Sequence, residues 1–149
     1  MSKSPLNRFK AEFPAKSINE GYARMVAAAF VSQLDPTVAD LADIKTAVSE
    51  AVTNCIVHAY RDKTDYCPIY ITGAYYADGK TVITVRDKGC GIEDISKAVT
   101  PLYTTDPGGE RSGMGFTIME SFCDKMTVSS RVGKGTTVRL VKKIVRPQS

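Results

Sequence analysis

The order of segments along this chain is one strand, two helices, a hairpin, a long irregular stretch, a third helix and a final hairpin. That order predicts an α/β fold, a two-layer sandwich in which helices cover one face of a mixed, largely antiparallel sheet. Three observations carry the expectation. SEAVTNCIVHAY, Ser49 to Tyr60, has helical periodicity with two distinct faces. CPIYITGAYYA and KTVITVRD flank Asp78-Gly79, a strong hairpin signal, and KMTVSSR and TTVRLVKKIV repeat the arrangement around Gly133-Lys134-Gly135. With 149 residues, 43% hydrophobic and 24% charged, the chain is expected to form one globular domain, residues 1–149, with a sizeable core.

Taken in order, Arg8 to Phe13 alternate as a short strand. Ser17 followed by Glu20 forms a capping-box signature for a helix running through roughly Leu34, where Asp35-Pro36 breaks it. Thr37 with Asp40 caps the second helix, which frays near Tyr60 before the polar loop RDKTDY. Beyond the first hairpin, Gly89 to Gly115 is rich in Gly, Pro, Thr and charge, with one short candidate helix near Ile92 to Val99. Loops of that length are usually functional or disordered, and glycines at both ends suggest a lid. A third helix, roughly Gly115 to Cys123, leads into the last hairpin. There is no internal repeat and no low-complexity tract.

Composition narrows the function classes. No apolar run approaches the length of a membrane span, and MSKSPLNRFK lacks the apolar segment of a secretory signal, so a cytoplasmic protein is expected. Cys55, Cys67, Cys90 and Cys123 are scattered without a Cys-x-x-Cys pair, which favours buried thiols over disulfides or zinc ligands. His58 is the only histidine, which excludes a multi-histidine metal site. The net charge of +4 is modest and the lysines and arginines are spread along the chain, with KKIVR a small cluster. Nucleic-acid binding is thus weakly indicated, and an acidic protein partner fits equally well.

On the second helix, about 100° of rotation per residue puts Val48, Val52, Cys55 and Ile56 on one side and Glu50, Thr53, Asn54 and His58 on the other. A solvated stripe is the ordinary meaning of such a face, but it usually carries lysine, arginine and several glutamates. One acid with three neutral polar groups looks like a lined cavity. Two further features align with it: Asp87-Lys88-Gly89-Cys90-Gly91 at a strand end and Gly113-Met114-Gly115 at a helix start. Each alone is weak; together they describe a nucleotide site. Gly113 and Gly115 would let phosphates approach unpaired backbone N–H groups at a positive dipole end. Asp87 is the candidate acceptor for the exocyclic amine of adenine, with Gly89 and Gly91 leaving room for the flat base. Asn54 offers a neutral oxygen to a Mg²⁺ shell of water and phosphate. Glu50, one turn away, is placed to accept a hydroxyl proton during γ-phosphoryl transfer. A salt bridge from Glu50 to a cation such as Lys45 is the structural alternative.

The Asn54 helix, the Asp87/Gly89/Gly91 box, the Gly113/Gly115 box and Gly135-Thr136-Thr137 resemble the N, G1, G2 and G3 elements of the GHKL ATPase/kinase superfamily, which implies its Bergerat ATP-binding fold. Within it, SEAVTN, TPLYTTDP and ERSGMGFTIMESFCD are most similar to the small serine-kinase anti-sigma factors of endospore-forming bacteria. The resemblance implies Glu50 as catalytic base, Asn54 as Mg²⁺ ligand, and Asp87 as adenine anchor aided by the Thr136 or Thr137 hydroxyl. It implies lid residues Thr104, Thr105 and Arg111, with Ser112, Gly113, Met114, Gly115 and the following Phe116, closing over the phosphates. Thr53 would border them, and Arg24 would contact protein partners, although an ordinary solvated arginine is the plainer reading. His58 fits a supporting donor or a cap for the helix end. The implied activity is inhibition of the sporulation sigma factor sigma F, with ATP·Mg²⁺-dependent phosphorylation of a serine on an anti-anti-sigma factor, leaving ADP. A homodimer is implied, with no direct nucleic acid and no membrane among the partners. The alternatives are a kinase controlling a general-stress sigma factor and a non-catalytic, ATP-dependent sequestering module. Retention of Glu50 argues against the latter.

Overall fold

The computed structural model describes residues 4–60, 66–93 and 115–145. Within them run β1 (Asn7–Pro14), α1 (Asn19–Val31), α2 (Val38–Asn54), β2 (Pro68–Tyr75), β3 (Lys80–Asp87), α3 (Gly115–Phe122), β4 (Lys125–Arg131) and β5 (Gly135–Lys143). The strands form one sheet in the order β1-β2-β3-β5-β4, with the helices on one face, as expected.

The mixed character expected of the sheet is absent from its described pairs, all four of which are antiparallel. The reason lies in the connections. Two helices between β1 and β2 return the chain antiparallel, whereas a single crossover helix would make the pair parallel. β3 and β4 do run in the same direction, but β5 lies between them.

The helix-covered face is built by alternation. Phe13, Ile69, Ile71, Ile83, Val85, Val138 and Leu140 point into the core, where they meet Ile44, Ala47, Val48, Ala51, Val52 and Cys55 of the α2 side. The 44, 47/48, 51/52, 55 spacing is one helical stripe, and each large apolar side chain so buried contributes about 1.5–3 kcal/mol. Alanines 23, 27 and 28 are buried along α1, which lets it lie close against α2. Phe30 stacks between Phe9 and Tyr75, at ring separations of 4.7 and 5.0 Å.

Helix ends differ in how well they were foreseen. The Thr37 hydroxyl accepts the Asp40 N–H at 3.0 Å and starts α2 as expected. Ser17 does not cap α1: Ile18 precedes the helix in helical geometry with no side-chain cap, because a turn from Lys16 to Asn19 already winds the chain. At the far end, α2 passes into a π turn over Cys55–Ala59 before Tyr60. No helix of the described residues is long and apolar enough to cross a membrane.

Candidate functional site

The site grows from the end of β3. Thr81, Ile83 and Val85 face the helices, so alternation turns Asp87 inward too, and the carboxylate is only 5% exposed. Its Oδ1 accepts the backbone N–H of Gly89 at 2.9 Å and of Thr136 at 3.2 Å. Its Oδ2 accepts the Cys55 thiol at 3.5 Å. Burial pushes the Asp87 carboxyl above its ordinary value, and the bonds from Gly89, Cys55 and Thr136 restrain the rise. Burial, followed by the nearby Asp87 charge, pushes the Cys55 thiol up strongly. A carboxylate held this way has one oxygen occupied by two strong donors and the other by a weak S–H, which leaves acceptor capacity for an amine.

Gly89 and Gly91 meet a packing demand that the sequence did not show. A Cβ at Gly89 would sit 2.3 Å from the Ala59 carbonyl oxygen, and one at Gly91, whose φ is +78°, would sit 2.3 Å from the Arg131 oxygen. The space is taken by protein backbone, so these glycines let the loop seat against the π turn and the end of β4. Hydrogen bonds fasten it there: Cys90 N to Ala59 O and Gly133 N to Cys90 O, and Ile92 N to Ser130 Oγ.

Strand alternation also separates Thr136 from Thr137. Thr136 is buried, gives its N–H to Asp87 and shares a hydroxyl hydrogen bond with Ser130 at 2.8 Å. Thr137 lies opposite Arg86 on the other face of the sheet, so its hydroxyl is not brought to Asp87.

On α2, Glu50, Thr53 and Asn54 are half-buried on the polar side, and the adjacent Cys55 joins that helix to Asp87. The Thr53 hydroxyl donates to Ser49 O at 2.7 Å, so it meets a ligand only as an acceptor. His58 is half-buried within the π turn. At α3, Phe116 is partly buried and packs against the core. Thr104, Thr105, Arg111, Ser112, Gly113 and Met114 lie outside the described residues, as does most of the candidate helix from Ile92 to Val99.

Glu50 also lines a groove of about 460 Å³ with Glu20, Arg24, Met25, Lys45, Thr46 and Ser49. Glu50 and Arg24 are thereby brought to one cavity, with Lys45 beside them. Arg24 pairs with Glu20 at 3.6 Å. The Ser49 hydroxyl is buried without a hydrogen-bond partner among the described residues.

Sequence reasoning missed Tyr60. Its hydroxyl donates to Pro68 O and accepts from Lys88 N, both at 2.6 Å, tying the end of the π turn to β2 and to the loop after Asp87. Burial pushes its pKa up to about 12, with the Lys88 N–H opposing. Ser130 was missed as well. A serine in an alternating strand gives no signal of its own; a lone tyrosine closing an apolar helix was the available hint for Tyr60.

A model of the histidine kinase-like ATPase domain matches residues 13–142. The anti-sigma F factor of Caldanaerobacter subterraneus subsp. tengcongensis is 54% identical over 140 residues, covering 94% of this chain and 96% of its own length. That of Geobacillus kaustophilus is 52% identical over 143 residues, covering 96% and 97%. Among solved structures, the RsbU and RsbW domains of a Mycobacterium tuberculosis protein superpose with a TM-score of 0.70 at 20% identity, over 97% of this chain and 34% of that one. A blue-light activated histidine kinase from Erythrobacter litoralis gives 0.58 at 19% identity, over 80% of this chain and 40% of that one. At those identities the two structures speak for the fold alone.

Proposed function

From a chain that belongs to the histidine kinase-like ATPase domain family, and within it to the anti-sigma F factors, we propose a nucleotide-dependent switch in the cytoplasm. It binds and inhibits sigma F, and it phosphorylates a serine of an anti-anti-sigma factor with ATP·Mg²⁺. The observation that carries this reading is Asp87: a buried carboxylate fixed through Oδ1, with acceptor capacity left at Oδ2, and bonded by Cys55, the residue that follows Asn54 at the end of α2. That free acceptor capacity fits an adenine amine, which donates.

When bound, ATP supplies the γ-phosphoryl group. Asp87 orients the base through its exocyclic amine, and Thr136 holds Asp87 through its N–H. Asn54 would supply a neutral oxygen to Mg²⁺, an ion that keeps most of its shell as water and phosphate oxygens. Glu50 takes the proton of the acceptor hydroxyl, a contribution of about 10²–10⁴-fold. The groove shared by Glu50 and Arg24 supports approach of the protein partner from the α1–α2 side. The lid residues from Thr104 to Met114 would close over the phosphates. A homodimer is part of the reading, and β1, as an edge strand, offers an unpaired side for it.

The test is transfer of labelled phosphate from ATP·Mg²⁺ to an anti-anti-sigma factor by the wild type and by Glu50→Gln, with ATP binding measured in both. Transfer that vanishes in the variant while ATP still binds supports Glu50 as base. If the wild type binds ATP and sigma factor yet transfers nothing, the protein is a sequestering module and the kinase reading fails.

A further inference from the structure

Cations that look scattered along the sequence gather on one side of the sheet. Alternation sends every second strand residue away from the helices, and the register aligns these residues into rows. The central row reads Lys10, Thr72, Thr84, Arg139, Thr127. Arg8 and Lys125 end the next row, Arg86 stands in the row on the other side, and Lys80 lies opposite Lys143. With Arg131 the open face holds eight strand cations. Its one strand carboxylate is Glu12, engaged by the Tyr66 hydroxyl. The whole chain has 20 lysines and arginines against 16 acids, so outside this face it is net acidic.

We propose that the open face of the sheet binds the phosphate backbone of single-stranded nucleic acid, a partner outside those the family resemblance implies. None of the eight cations forms an ion pair among the described residues, and seven of them are exposed, Arg139 being half-buried. Arg86 sits 4.6 Å over the Tyr70 ring, with Lys88 at 5.2 Å over the same ring, so two charges are held in place on the face. Arg8 and Lys10, two residues apart on β1, are spaced by about 7 Å, and Lys80 and Lys143, opposite each other on β3 and β5, stand on strands about 4.8 Å apart; the other cations are spread across the face between them. The residues between are mainly threonines and serines, whose hydroxyls donate to phosphate oxygens.

A second copy on this face would bring like charges together. A protein partner would want a charge-depleted centre with open aromatic or aliphatic anchors, whereas Arg86 and Arg139 occupy the centre, the aliphatic contribution is Ala74, Val82 and Val141, and the Tyr70 and Tyr76 rings lie under Arg86, Lys88 and Lys80. A phosphate polymer needs neither anchors nor a pocket, and charge complementarity suffices to hold it.

The experiment is fluorescence anisotropy of a labelled single-stranded oligonucleotide titrated with the full chain at several salt concentrations. Wild type is compared with Lys10→Gln/Lys125→Gln/Arg139→Gln, with poly-glutamate as a competing probe and sedimentation to read oligomeric state. Wild type is expected to bind with an affinity that falls as salt rises, by about 0.7 log units per log of salt for each phosphate neutralised. The triple variant, melting like the wild type, should lose at least about tenfold and flatten that slope by about 2. Four results overturn the proposal. They are no binding at low salt, equal binding by the variant, preference for poly-glutamate, which assigns the face to an acidic protein, and a change of oligomeric state in the variant without nucleic-acid binding, which assigns it to a second copy.

Discussion

Asp87→Asn separates the two things the buried carboxylate does. The amide keeps an oxygen that can still accept from Gly89 and Thr136, so the loop after β3 stays seated. The second position becomes an NH₂ group facing Cys55 and, in the nucleotide complex, the amine of the base: donor meets donor. A hydrogen bond to a charged acceptor contributes about 1.5–3 kcal/mol, so adenine nucleotide affinity should fall by about 10- to 150-fold. Stability moves the other way. The folded carboxyl titrates above its ordinary value of 3.8, so the folded state binds the proton more tightly than the unfolded state. Wild type therefore loses stability as pH rises from the ordinary carboxylate range through the raised one, and the loss stays constant above it. Asp87→Asn lacks that loss. Nucleotide-free melting curves from acid to neutral pH, together with isothermal titration of ATP, measure both effects. ATP affinity within about twofold of wild type would refute the assignment of Asp87 as base anchor, and melting profiles that run parallel across pH would refute the raised carboxyl.

Tyr60→Phe strands the Pro68 carbonyl and the Lys88 N–H, so urea denaturation should show a loss of about 1–3 kcal/mol. Met119, fully buried on α3, fills the core under that helix. Met119→Ala should cost about 2–5 kcal/mol in the same assay. Among the cysteines, Cys90 is exposed, while burial raises the thiols of Cys55 strongly and of Cys123 to about 11. At mildly alkaline pH an alkylating reagent should modify Cys90 first by peptide mass spectrometry and abolish ATP binding, and bound ATP should protect it. Full ATP affinity after complete modification would remove Cys90 from the neighbourhood of the base.

What could be read in advance was whatever depends on local pattern. The Thr37–Asp40 cap, both hairpins, the two faces of α2 and the inward turn of Asp87 all follow from spacing within a few residues. What could not be read depends on contacts across the fold. Ser17 has the chemistry of a cap, but the chain winds into α1 before reaching the position where its hydroxyl would be needed. Thr136 and Thr137 are equivalent in sequence, and only the register of β5 against β3 makes one a partner of Asp87. The role of Gly89 is set by Ala59, thirty residues upstream. The basic face is the extreme case, since its cations come from four strands and no window of sequence contains more than a few of them.

The bond from Thr136 N to Asp87 Oδ1 joins residues 49 apart in the chain. Each hairpin of the sheet, β2 with β3 and β4 with β5, closes over a short turn, but the seam between β3 and β5 can form only after the long intervening segment has come back. The seam is therefore the long-range join of the sheet, closed by seven consecutive residue pairs. On the proposed reading, a nucleotide bonded to Asp87, which Thr136 holds, would lie across it. Occupancy then governs how often the seam opens, and amide exchange should slow along the full length of β3 and β5, well beyond the residues the nucleotide touches.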